Sequence, residues 1–208
     1  MKIYAIGDIH GMLSKLERLL DRIPFRPEED TLVFLGDYVD RGPDSRQVVD
    51  RVLDLIDQGL RVVCLRGNHE LMMAHYLEGR DVNFFLLNGG ASTVHSYKVG
   101  HNGRCRMPDR HVAFVQTLKR FYETDDYLFV HAGFRPGIAL EDQRDEDIYW
   151  IRNDFILSDY DFGKTVIFGH TPFREPYVDA RKIGIDTGAV YGNKLTCVCL
   201  PDLVFYSV

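Results

Sequence analysis

TLVFLGDYVDRGPDSRQVVDRVLDLIDQG, residues 31–59, carries the repeating unit of the fold. Thr31–Leu35 is an apolar run with the composition of a buried strand. Asp44–Gln58 places Val48, Val49, Val52, Leu53, Leu55 and Ile56 on one helical stripe. Asp44 stands where an N-cap belongs, Gln47 follows at the third position of a capping box, and Gly59 marks the stop. Between strand and helix lies Gly36–Gly42, which holds two carboxylates and an arginine between glycines. A strand that breaks into a polar turn and then a helix is the building unit of layered α/β proteins.

The same unit recurs on both sides. Lys2–Ile6, Arg61–Leu65, Tyr127–His131 and Thr165–Phe168 read as further strands. Met12–Ile23 repeats the helical stripe with Met12, Leu13, Leu16, Leu19, Leu20 and Ile23. Near the end, Lys194–Leu200 and Leu203–Ser207 flank Pro201-Asp202 and predict an antiparallel hairpin. The sheet is therefore mixed, or there are two sheets. His75 to Glu123 has a weaker pattern and predicts short helices capping one end of the sheet, within a single domain spanning 1–208. Glu141–Asp147 is acidic and reads as an exposed loop.

Composition narrows the function. The chain has 208 residues, 45% hydrophobic and 27% charged, ordinary for a globular protein and enough to bury roughly 70% of the unfolded surface. A net charge of −6 argues against broad contact with nucleic acid or an acidic membrane surface, and leaves room for a local anion site. No apolar run approaches the roughly 18 residues of a membrane span, and MKIYAIGDIHG breaks too early for a signal-peptide core. Cys64, Cys105, Cys197 and Cys199 form no CxxC and read as reduced, mostly buried thiols of a cytoplasmic protein.

Each predicted strand ends in a glycine-flanked polar cluster: Gly7-Asp8-Ile9-His10-Gly11, the Gly36–Gly42 run, Gly67-Asn68-His69-Glu70, His131-Ala132-Gly133 and Gly169-His170-Thr171. Open α/β sheets bind ligands outside the carboxyl ends of their strands. Asp8 and His10, two apart, share a side if the segment is extended. With Asp37, Asn68, His131 and His170 they offer two carboxylates, one amide oxygen and three imidazoles. Carboxylate and amide oxygens suit hard cations, and imidazole suits manganese, iron, zinc or nickel. Six such donors fit two adjacent metals sharing one carboxylate, the arrangement that cleaves phosphoesters.

The ordered series GDIHG, GDYVDRG, GNHE, HAG and GH resembles the phosphoprotein phosphatase family of calcineurin-like metallophosphoesterases. The likeness runs from Ile6 to about Leu200, includes IDTGAVYGNKL, and in its short length is similar to small prokaryotic and phage-type members. It implies a layered α/β fold in which mixed β-sheets are sandwiched between α-helices. It implies Asp8, His10 and Asp37 on one divalent metal and Asp37, Asn68, His131 and His170 on the other, with Asp37 bridging and manganese favoured over iron or zinc. It implies His69 as general acid, Asp40 as its orienting partner, and Arg41 and Arg152 as the grip on substrate phosphate. Arg66 is a secondary phosphate candidate; His75, His95, His101 and His111 match no motif and are expected on the surface or in the cap. The expected reaction is attack on phosphorus by a hydroxide bridging the two metals. A serine/threonine protein phosphatase acting on a phosphorylated protein, or on a small phosphoester, is the first reading. A dinucleoside tetraphosphate hydrolase on the same centre is the alternative, although such relatives are usually longer. A binding module without catalysis is disfavoured, because His69, Asp40 and all six donors are present.

Overall fold

A computed structural model describes residues 1–97 and 106–208. Its chain order explains where the polar clusters go. The first strand, β1 (Ile3–Ile6), leads into α1 (Leu13–Arg22); β2 (Thr31–Phe34) leads into α2 (Ser45–Asp57); β3 (Val62–Cys64) leads into α3 (Asn68–Leu77). Short helices follow: α4 (Val82–Phe85), a π-turn over Leu86–Gly90, α5 (Ala91–Ser96) and α6 (Asp109–Thr117). Then come β4 (Phe121–Glu123), β5 (Tyr127–Val130), α7 (Asp145–Trp150), α8 (Asn153–Ile156), β6 (Thr165–Phe168), β7 (Tyr177–Asp179), β8 (Lys182–Gly184), β9 (Thr196–Leu200) and β10 (Val204–Ser207).

The described residues form two sheets, ordered β10-β9-β1-β2-β3 and β4-β5-β6-β8-β7. Each has three parallel strands: β1, β2 and β3 in one, β5, β6 and β8 in the other. The flanking strands are antiparallel, including the predicted C-terminal hairpin. Alternation along the strands shows how the layers stack. Ile3 and Ala5 of β1 face a core shared with Phe129, Ile167, Ile183 and Val198, which lies between the sheets. Tyr4 and Ile6 face the opposite way, against Leu16, Leu19, Val48 and Val52 of α1 and α2. Leu128, Val130, Val166 and Phe168 face α7 and α8 through Ile148 and Phe155. Mixed sheets thus lie between outer helices, as the resemblance implied, and the parallel strands are buried on both faces.

Some local expectations change. Asp44 precedes α2 without any side-chain cap bond; its backbone N–H is given to Gly11 O instead, tying the turn to the first polar cluster. The acidic stretch at 141–147 is not simply an exposed loop, because Asp145–Trp150 is helical and Asp147 is buried against Arg135 at 2.6 Å. His111 is buried, between the Tyr97 hydroxyl and Asp50, both 2.9 Å away. Cys197 and Cys199 are buried and Cys64 is half-buried, while Cys105 and His101 lie outside the described residues. Among the described residues no helix is long and apolar enough to cross a membrane.

Candidate metal centre

The parallel strands of both sheets release their chains at one end, and the polar clusters meet there. The backbone is unusual at this point. His10, Asp37, Asp40, Arg41 and His170 all have positive φ, between 47° and 73°. Non-glycine residues adopt this region reluctantly, and it concentrates at functional sites. Asp8 and His10 are accordingly not on an extended segment: β1 ends at Ile6, and the N–H groups of Ile9 and His10 both donate to Asp37 O. Gly67 is required by proximity, since a Cβ there would lie 2.1 Å from Asp37 Oδ1.

Asp37 is the hub. Its Oδ2 lies 3.4 Å from His10 Nε2 and 3.5 Å from His131 Nε2, and its Oδ1 accepts the His69 N–H. His10 Nδ1 lies 2.8 Å from Val39 O, and His131 Nδ1 3.0 Å from Leu35 O. A carbonyl only accepts, so each Nδ1 carries the hydrogen and, in the neutral ring, each Nε2 is a bare lone pair. Burial keeps these rings neutral: it pushes His10 down to about 3 and lowers His131. His131 Nε2 therefore turns a lone pair toward Asp37 Oδ2, and His10 Nε2 does the same from 3.4 Å while accepting from Arg41 Nη1. That contact is repulsive by itself and favourable around a cation. His170 adds a third buried ring, lowered by burial, whose Nε2 has no hydrogen-bond partner. Asn68 Oδ1 sits 2.9 Å from His131 Nε2 and 3.1 Å from His170 Nδ1. The donor set fits divalent metal.

Two metal-sized groupings emerge: His10, Asp37 and His69, and Asp37, His131 and His170, each with its donor atoms within 4.8 Å of one another. Asp8 is buried beside them; its two oxygens share the one His170 N–H, at 3.0 and 3.2 Å, and keep lone pairs for a cation. His69 Nδ1 lies 2.6 Å from Asp40 Oδ2. Burial opposes its charge, but Asp37 and Asp40 together raise its pKa above the ordinary histidine value. Thr93 supports Asp40, donating to Oδ1 at 2.6 Å and accepting the Asp40 N–H at 2.9 Å.

The cavity over these groups measures about 280 Å³ and is lined by Asp37, Asn68, His69 and His170, with Arg41 and Arg152 at the rim. Arg41 Nη1 comes within 2.5 Å of His10 Nε2. Both arginines are exposed; Arg41 also lies over the Tyr191 ring, 5.7 Å from its centroid, and Arg152 has no ion pair among the described residues. Arg66 instead donates to Val115 O and Gln116 O, a structural engagement away from the cavity. A larger hollow of about 590 Å³ over Arg135 and Arg144 lies elsewhere, and Arg135 is already paired with Asp147 and Asp154.

Sequence reasoning passed over several participants. Glu70 is fully buried and accepts N–H bonds from Asp37, Tyr38, Val39 and Gly67 at 2.8–3.2 Å. Burial and the Asp37 charge push its carboxyl up, yet four amide donors leave both oxygens in acceptor roles and favour the carboxylate. Its place in GNHE was the available signal. Asp186, in IDTG, lines the cavity and is pushed up to about 6, chiefly by burial. Thr93 had no signal, because its contact with Asp40 spans 53 positions.

A carboxylate hub ringed by neutral imidazoles, with arginines at the mouth and a histidine paired to a buried carboxylate beside it, at the meeting of two sheets, defines a metallophosphoesterase. The chain belongs to the calcineurin-like phosphoesterase family, whose model matches residues 1–206. It is 27% identical to bis(5'-nucleosyl)-tetraphosphatase PrpE [asymmetrical] of Bacillus thuringiensis (strain Al Hakam), over all of this chain and 94% of that protein. The same figures hold for the protein of that name from Bacillus anthracis (strain A0248). Among solved structures, a candidate diadenosine tetraphosphatase superposes with a TM-score of 0.80 at 24% identity, covering all of this chain and 92% of that one. A Saccharomyces cerevisiae serine/threonine phosphatase similar to human PP5 superposes at 0.69 with 16% identity, covering all of this chain and 79% of that one. These last likenesses are of fold. The expectation that tetraphosphate hydrolases are usually longer does not separate the readings, because this chain spans nearly the whole of the Bacillus relatives.

Proposed function

We propose that the protein is an asymmetric dinucleoside tetraphosphate hydrolase, in place of the serine/threonine protein phosphatase favoured by motifs alone. The observation that carries this reading is the end-to-end similarity to enzymes of that name, at 27% identity. His10, Asp8 and Asp37 would hold one divalent cation and Asp37, Asn68, His131 and His170 the other, with manganese favoured on donor type and iron or zinc as alternatives. When bound, the cations supply positive charge to the phosphoryl oxygens and lower the pKa of water.

The chain's own residues supply the rest. Arg41 and Arg152 grip the polyphosphate, for which a planar two-pronged guanidinium is suited. His69, whose charged form Asp37 and Asp40 favour, hands a proton to the departing oxygen. Asp40 and Thr93 fix the ring that does so. No serine or cysteine nucleophile is required. Water adds to one phosphorus, its P–O–P bond breaks, and a nucleoside triphosphate leaves a nucleoside monophosphate. The substrate is a small phosphate compound, and the chain acts in the cytoplasm without engaging nucleic acid or membrane.

The test is product analysis. Manganese-loaded protein should convert diadenosine tetraphosphate to ATP and AMP, and release phosphate from a phosphoserine peptide far more slowly. The reverse preference would restore the protein-phosphatase reading.

A further inference from the structure

Trp150 is the chain's single tryptophan, and it serves as a shared wall. One side lines the metal cavity, where its ring meets His170 edge-on, with centroids 6.0 Å apart at 84°. The other side lines a second cavity of about 320 Å³, within the range of small-ligand sites. There the ring tilts toward Phe84, centroids 6.4 Å apart at 48°. Phe84 is 52% exposed and Trp150 37% exposed, so two large aromatic faces stand partly open beside the chemistry. Leu71 and Met72 form the floor.

The two cavities differ in where cations stand: the metal side, which also holds Asp37 and Asp186, has two arginines, and the second cavity has none among the described residues. Arg41 and Arg152 stand at the metal side, while Asp81, Asp145 and Glu146 rim the second cavity. Asp81 is paired with His75, and Asp145 with Arg120. Glu146 has no ion pair among the described residues. A polyphosphate would be repelled from that rim and drawn to the arginines. A neutral aromatic ring bearing amino N–H groups would stack on the open faces and donate to the carboxylates. The segment that presents Phe84 is also tied to the phosphate side, since Arg41 N–H donates to Gly89 O at 3.1 Å.

We propose that the cavity walled by Trp150 and Phe84 receives the nucleobase of a substrate whose phosphates lie at Arg41 and Arg152. This rests on the dinucleoside reading and deepens it, naming where substrate selectivity over simple monoesters arises. Cutting a base-stacking aromatic to alanine typically weakens binding by roughly tenfold or more.

Two measurements test it. The first compares kcat/KM for diadenosine tetraphosphate with that for p-nitrophenyl phosphate, which has no base, in manganese-loaded wild type and Phe84→Ala. The ratio should fall at least about tenfold in the variant, chiefly through KM; an unchanged ratio overturns the proposal. A loss confined to a phosphoserine peptide also overturns it, in favour of a peptide groove. The second uses the lone tryptophan as reporter: ADP should quench Trp150 fluorescence in the wild type, and tripolyphosphate at equal concentration should not. Equal responses overturn the proposal. If the wild type does not hydrolyse the dinucleotide, the functional reading fails, and the fluorescence comparison alone decides the base site.

Discussion

Asp37, with its left-handed backbone and its Oδ2 facing two imidazole nitrogens, shows how much of this site depends on single atoms. Glu70 keeps that backbone in place, because its two oxygens accept from the amides of residues 37, 38, 39 and 67. Glu70→Gln replaces one acceptor with an NH2 group facing amide donors, so a buried mismatch arises. We expect a loss of about 2–4 kcal/mol by chemical denaturation, together with weakened metal binding. A variant of wild-type stability would remove Glu70 from this role. Arg152 makes the opposite prediction. It is exposed and unpaired among the described residues, so Arg152→Ala should keep metal content and stability but lower kcat/KM for the tetraphosphate about tenfold or more. A change within about twofold would mark it as an ordinary surface residue. For His69, the leaving group decides. A serine alkoxide needs a proton far more than a nucleoside triphosphate does. His69→Asn should therefore lose about 10²–10⁴-fold on an alkyl phosphate and distinctly less on the tetraphosphate. Equal losses would show that His69 positions phosphate or water instead.

At the scale of elements, the turn between α1 and β2 is pinned by one carboxylate. Asp30 is fully buried, takes the N–H groups of Lys2 and Arg26 at 2.9 and 3.0 Å, and pairs with the Arg26 guanidinium. Burial would raise its pKa, but these donors outweigh it and bring it from 3.8 down to about 2. The folded value lies below the unfolded one, so the stabilisation is complete above about pH 4 and is lost as pH falls toward 2. The contribution is at most about 2 kcal/mol, reduced by the solvent around half-exposed Arg26. Asp30→Asn should lower stability at pH 7 and flatten the acid limb between pH 4 and 2; an unaltered limb would refute the assignment. The main elements near Asp30 were legible because β1, β2, α1 and α2 have long, clear apolar periods. The three-residue strands β4, β7 and β8 carry no such period and form because neighbours supply partners. The acidic run 141–147 reads as a loop because charge suggests solvation, yet its last residues enter α7 and Asp147 is held by Arg135, 12 positions upstream. The glycine-flanked ends showed where the site would gather, while Thr93 reaches it only through packing that sequence separation conceals.

The described residues build two sheets whose parallel strands open onto a common edge, and the candidate cation donors come from both. His10, Asp37 and Asn68 follow strands of one sheet; His131 and His170 follow strands of the other. Without cation, the His131 lone pair faces Asp37 Oδ2 across the sheets and the His170 Nε2 is buried without a partner among the described residues, so the junction is left partly unsatisfied even though His170 N–H on Asp8 and His131 Nδ1 on Leu35 O still tie the halves. With cation, the same atoms attract, and binding energy adds to folding stability because the unfolded chain has no such site. At one hundred times Kd the gain is about 2.7 kcal/mol, which for a chain of this size corresponds to roughly 5–10 °C in Tm. Manganese added to chelator-stripped protein should therefore raise Tm by that order and restore activity over the same concentration range. Asp37→Asn should abolish most of the shift, because its carboxylate serves both groupings, while Glu17→Gln on an exposed helix face should keep it. A Tm indifferent to both manganese and chelator, in protein shown by elemental analysis to exchange its metal, would mean that the sheets are joined by their apolar core alone. The imidazoles would then have to be reassigned as donors to Asp37, with charged rings where the backbone carbonyls of Val39 and Leu35 now indicate neutral ones.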